Sequence, residues 1–174
     1  SLVEIGPWKG MGSTLLIAKA LESRPSVEAV SIEINEEFLD TARRNLAEFE
    51  RPILMHGTLV RAEMLDDHEL REEEKSWFLE DVRNIENAPN LMSVIPQKID
   101  FLLLDGGEFS SWAEFEILLP RLGGFVLLDD TETRKNRKVH RFLAEDDSWV
   151  LIERGMDRNG WSVWVNRTRQ STLS

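Results

Sequence analysis

The chain has 174 residues, no cysteine, and 32 acidic against 21 basic side chains, for a formal charge of −11. That length suits one domain with a full core, and the missing cysteines exclude a disulfide framework, thiolate catalysis and Cys-ligated zinc and fit a reducing compartment. The acidic balance argues against a nucleic-acid partner, because affinity for phosphate backbones comes from clustered Lys and Arg. No apolar run reaches the ~20 residues of a membrane span, and no basic-plus-apolar leader opens the sequence, so a cytoplasmic protein without a membrane partner is expected.

In chain order, Leu2-Val3-Glu4-Ile5 reads as a short buried strand over residues 2–6. It runs into a glycine-rich turn in which Gly6, Gly10 and Gly12 allow backbone shapes and close approach that a Cβ would block, and Ser13 is placed to cap a helix over 13–23. A second strand, 28–33, ends in Glu33, 21 residues after Gly12. An acid at about ~20 residues from such a turn is where a carboxylate meets ribose hydroxyls in a strand-helix-strand unit. The glycine spacing departs from Gly-x-Gly-x-x-Gly, since Ser13, Thr14 and Leu15 follow Gly12, which disfavours a dinucleotide such as NAD.

An amphipathic helix over 36–50 and a strand over 53–57 come next, then a polar stretch, 59–98. Nine acids lie between residues 63 and 81. They read as a solvated helix face, or, with Trp77, Phe78 and Leu79, as a lid or variable insertion. Beyond it follow a strand at 99–104, a helix at 111–121, a strand at 124–129 and a helix at 134–145. Two further strands, 148–154 and 161–166, flank Asn159-Gly160, a dipeptide that favours a tight reversal. Strands alternating with helices predict a parallel sheet in one α/β domain spanning residues 1–174, closed by an antiparallel last strand.

The pattern Glu4-x-Gly6-x-x-x-Gly10-x-Gly12-Ser13 resembles the first motif of class I S-adenosylmethionine (SAM)-dependent methyltransferases, and Ser31-Ile32-Glu33-Ile34-Asn35 is similar to a segment of the catechol-type O-methyltransferases and their bacterial relatives. The resemblance implies a Rossmann-like seven-stranded sheet with helices on both faces. It implies a SAM site formed by Glu4, Gly6, Gly10, Gly12, Ser13 and Glu33, with Glu33 on the ribose. Thr58, in His56-Gly57-Thr58-Leu59-Val60, falls among the adenine-contacting positions, which here offer mostly apolar groups. The family carries helices ahead of its first strand, whereas this sequence opens on that strand.

Strand four ends in Asp105 and strand five in Asp129 and Asp130. Ligands in open α/β sheets bind at the carboxyl ends of strands, and three converging carboxylates call for protonation or a hard cation. Capping of the following helices is the other reading. In the metal-dependent O-methyltransferases that the chain resembles, these positions bind a divalent ion, which implies Mg²⁺ or Mn²⁺ on Asp105, Asp129 and Asp130. Asp105 and Glu108 are the candidate catalytic residues, although related sequences place His where Glu108 stands. The basic run Arg134, Lys135, Arg137, Lys138, His140 and Arg141 suggests either a solvated helix or an anionic acceptor. Trp8 and Trp112 are candidates for stacking on a ligand or for the core. The expected activity is methylation of a small hydroxylated acceptor. A non-catalytic SAM-binding or assembly subunit is the alternative, and an NAD-linked oxidoreductase a weaker one.

Overall fold

A computed structural model describes residues 1–167. Seven strands form one sheet in the order β3-β2-β1-β4-β5-β7-β6: β1 Leu2–Ile5, β2 Ala29–Glu33, β3 Ile53–His56, β4 Ile99–Leu104, β5 Leu122–Asp129, β6 Trp149–Gly155 and β7 Trp161–Asn166. The first five pair in parallel, and β7 runs antiparallel to both β5 and β6. The helices are α1 Ser13–Glu22, α2 Glu36–Asn45, α3 Lys75–Asn87, α4 Ser111–Leu118 and α5 Arg134–Glu145. Among the described residues, no helix is long and apolar enough to cross a membrane.

Local chemistry explains the boundaries. Asn35 caps α2 by accepting from the backbone N–H groups of Glu37 and Phe38, and Glu36, Glu37, Arg43 and Arg44 place acids at the positive end of the helix dipole and bases at the negative end. Thr133 caps α5 by accepting from the Lys135 N–H. Helix α2 stops at Asn45, five residues short of the expected end, as Leu46 turns into the core at 4% exposure. The expected helix over 111–121 finishes as a 3-10 turn at Leu119–Arg121, where Pro120 removes a backbone donor. The polar stretch contains α3, which charge content alone did not delimit.

Val3, Ile5, Leu102, Leu104, Val126 and Leu128 carry the core across β1, β4 and β5, each at most 4% exposed. A second cluster, Val60, Leu65, Ile85, Phe109 and Ala113, holds α3 against α4. Phe78 meets Phe109 edge to face at 5.3 Å, while Trp77 and Leu79 are exposed. The chain order reverses between β1 and β4, so the crevice at their carboxyl ends is the switch point where such sheets bind ligands.

Candidate active site

A cavity of about 420 Å³ opens at that crevice. The turn after β1, the end of β2, the start of the segment after β3, the turn after β4, α3 and the N-terminal end of α5 all contribute walls. Gly6 is required at the first wall: its φ is +84°, and a Cβ there would lie 2.3 Å from the Asp105 carbonyl oxygen.

Glu33 lines the cavity and is 5% exposed. Its two carboxylate oxygens accept from the backbone N–H groups of Trp8 and Asn35, each at 2.9 Å. Each oxygen has two acceptor positions, so both can accept a further bond. Burial raises the Glu33 pKa above the ordinary glutamate value, against the backbone bonds that lower it. Trp8, at φ +49° and half exposed, stands beside it on the cavity rim, edge to face with Phe38 at 6.2 Å.

The other expected cofactor residues divide. Gly6 and Thr58 line the cavity. Glu4 is fully buried and does not; it accepts hydrogen bonds from Ser13, Thr14 and Ser31, and burial raises its pKa. Glu4 thus anchors the glycine turn from beneath, with Ser13 as one of its donors. Gly10, at φ +74°, is backed by Ala42 of α2 and by Leu46 just beyond it, and Gly12 faces open space. Neither lies in the cavity wall.

The acids ending β4 and β5 do converge: Asp105, Asp129 and Asp130 offer oxygen atoms within 4.8 Å of one another. A fourth residue stands among them. Lys135 Nζ lies 2.8 Å from Asp105 Oδ1 and 2.7 Å from Asp130 Oδ2, with only 14% of its side chain exposed. Asn159 donates to the other Asp130 oxygen at 2.9 Å, and the Arg158 guanidinium is 3.8 Å from Asp129. Burial alone would lower the Lys135 pKa, but Asp105 and Asp130 overcome it and raise the value, so the ammonium is charged. Burial likewise opposes ionisation of Asp130, yet the bonds from Lys135 and Asn159 hold its pKa below the usual aspartate value. Burial raises Asp105, with Lys135 pulling the other way.

Three hard oxygens in this space suit Mg²⁺ or Mn²⁺ chemically. As arranged they do not fit one, because a divalent ion bridging Asp105 and Asp130 would need the space between them that the Lys135 ammonium fills.

Glu108 does not line the cavity; its charge is felt by Arg71 and Asp81. The basic run of α5 also disperses. Arg134 donates to the carbonyls of His68 and Glu69 at 2.8 and 3.1 Å, Arg137 donates to the Glu132 carbonyl, Lys138 lies over Trp112 at 4.2 Å, Arg141 pairs with Glu145, and His140 meets Ser162. Of that run only Lys135 reaches the cavity. Trp112 packs on Phe115 and Phe142 and is not in the cavity wall.

Asp81 and Glu114, which sequence reading did not single out, also belong to the site. Asp81 of α3 lines the cavity, and burial lifts its pKa to about 6. Glu114 of α4 also lines it at 6% exposure; burial lifts it to about 8, Ser110 bonds the carboxyl, and Oε2 has no partner. The available signal was an acid in the otherwise apolar stretch Trp112-Ala113-Glu114-Phe115.

Solved structures match this architecture. A methyltransferase from Geobacter sulfurreducens aligns at TM-score 0.62 and 17% identity over 95% of this chain and 70% of that one. An O-methyltransferase from Bacillus cereus in complex with S-adenosylhomocysteine (SAH) aligns at 0.61 and 19% over 95% and 73%. The fold is that of class I methyltransferases. An SAH-bound methyltransferase from Podospora anserina gives 0.58 and 14% over 94% and 70%. No protein-family model and no curated protein sequence matches the chain.

Proposed function

We propose that the protein is a SAM-dependent methyltransferase acting on the oxygen of a small hydroxylated acceptor. The observation that carries this reading is the Glu33 carboxylate, fixed by two backbone N–H groups at the wall of the switch-point cavity and able to accept from two vicinal hydroxyls. A volume of about 420 Å³ falls within the range of pockets that enclose small ligands. Glu33, Glu80, Asp81, Asp105 and Asp130 line it together with Lys135 and Arg158, an acidic excess that suits the sulfonium and ammonium of SAM.

SAM, when bound, supplies a methyl group already activated on a positive sulfur. This chain's part is therefore placement. Glu33 orders the ribose, Gly6 leaves room for the methionine end, and Ile34 and Thr58 flank the base. The acceptor would then lie toward Lys135, with its oxygen lone pair turned to the methyl group that SAM would supply. The hydroxyl proton passes to a cavity carboxylate. Asp105, which lines the cavity, takes this role in preference to Glu108, which does not. The same acidic lining favours a neutral acceptor over the anionic one suggested by the composition of α5.

The test is calorimetric titration with SAH and with NAD. SAH is expected to bind and NAD not to. Glu33→Ala is expected to weaken SAH about 10- to 150-fold, from the loss of charge-assisted hydrogen bonds worth about 1.5 to 3 kcal/mol. Equal SAH affinity in a folded mutant would remove the ribose assignment.

A further inference from the structure

We infer that the Lys135 ammonium is the resident cation of this site, standing where related folds are expected to hold a divalent metal, and that it holds the acceptor oxygen itself. The geometry supports each step. Lys135 is the second residue of α5, and its Nζ stands between the acids that follow β4 and β5. An ammonium has three N–H donors. Asp105 and Asp130 take two at 2.8 and 2.7 Å; the third remains for an oxygen in the cavity that Lys135 lines.

The surroundings are built for this charge. Asp130 adopts φ +54°, a left-handed conformation costly for a non-glycine residue, and its second oxygen is fixed by Asn159 of the β6–β7 turn. Asp129 faces Arg158 of the same turn. Three carboxylates thus meet two cations supplied by the chain. An entering metal would have to expel Lys135 into a poorly exposed pocket and break both of its ion pairs. Once seated, the ammonium donates to the acceptor oxygen, aligning a lone pair while the neighbouring carboxylate receives the proton. Unlike a metal it offers a single donor direction, so it selects one hydroxyl and has no means of chelating two adjacent ones.

The role in holding an acceptor rests on the methyl-transfer reading; the exclusion of metal rests on geometry alone. Both are separable by titrating Mn²⁺, followed by the paramagnetic signal of the free ion, in parallel with SAH calorimetry. The wild-type protein is expected to leave Mn²⁺ free at millimolar concentration. Lys135→Met, which keeps the apolar stem and removes the charge, is expected to bind Mn²⁺ at least about tenfold more tightly, and Lys135→Arg to exclude it as the wild type does. Tight Mn²⁺ binding by the wild type, or no gain in a Lys135→Met or Lys135→Ala protein that still binds SAH, overturns the inference. Should the Met and Ala variants fail to fold, the wild-type measurement still decides, since tight binding there is fatal and exclusion there supports it. Failure of the wild type to bind SAH would remove the methyl-transfer reading and leave the Mn²⁺ comparison standing.

Discussion

Glu114 shows how much one buried carboxyl changes the behaviour of this domain. Its Oε2 has no partner and its pKa is pushed to about 8 by burial, so at neutral pH the carboxyl keeps its proton and presents an O–H at the cavity wall. The linkage has a definite sign. The folded-state pKa lies above the unfolded value of 4.5, so the folded state binds the extra proton and stability falls as pH rises from about 4.5 to about 8. Asp81, raised to about 6, adds a decline of the same sign at the lower end of that window. Glu114→Gln is expected to flatten the fall between pH 6 and 8 in urea-denaturation curves. An unchanged slope would mean that Glu114 ionises freely in the folded protein. The sequence offered no route to this residue beyond an acid set among apolar neighbours, because a 3.6-residue period identifies a helix face and not what covers it.

At the scale of elements, α3 and the segment before it are held from α5. Arg134 donates to two carbonyls of that segment, stands 3.6 Å from Glu74 and lies 5.9 Å from the Phe109 ring. The acidic stretch is therefore partly what it looked like, an exposed face carrying Trp77 and Leu79, and partly a wall of the cavity through Asp81, Asn84 and Ile85. Arg134→Ala is expected to speed amide exchange across residues 62–87 and to lower the opening free energy there by about 1.5 to 3 kcal/mol, with the central strands unaffected. Exchange identical to wild type would show the contact to be idle. This places Arg134 in scaffolding and not at the acceptor, a distinction that the run of basic residues in the sequence left open. Charge pattern is ambiguous here because a helix of 12 residues turns its bases to several directions.

For the whole molecule, the cavity at the β1/β4 switch point couples ligand to stability. A ligand at ~100-fold over its Kd adds about 2.7 kcal/mol, and a domain of this size shifts Tm by roughly 2–4 °C per kcal/mol. SAH is therefore expected to raise Tm by about 5–10 °C, with NAD giving no shift. Thermal denaturation checks both, and a shift by NAD alone would reverse the assignment of the cavity.

The order of the seven strands and of every helix except α3, the glycine turn and the acids ending β2, β4 and β5 were readable from residues close in sequence. They depend on local chemistry: apolar periodicity, caps such as Asn35 and Thr133, and the Asn159-Gly160 reversal. The parallel sheet then followed from how such units pack, and with it the convergence of Asp105, Asp129 and Asp130. What fills the space between those acids did not follow. Lys135 lies 30 positions beyond Asp105 in the chain, and as one of several bases on α5 it bore no mark of its target. Only the folded chain decided that its ammonium sits between two carboxylates, that Glu4 faces three hydroxyls away from the cavity, and that Asp81 and Glu114 border it. Such pairings are set by where side chains meet across elements, and burial then multiplies the strength of each charge interaction in a way that no stretch of local sequence encodes.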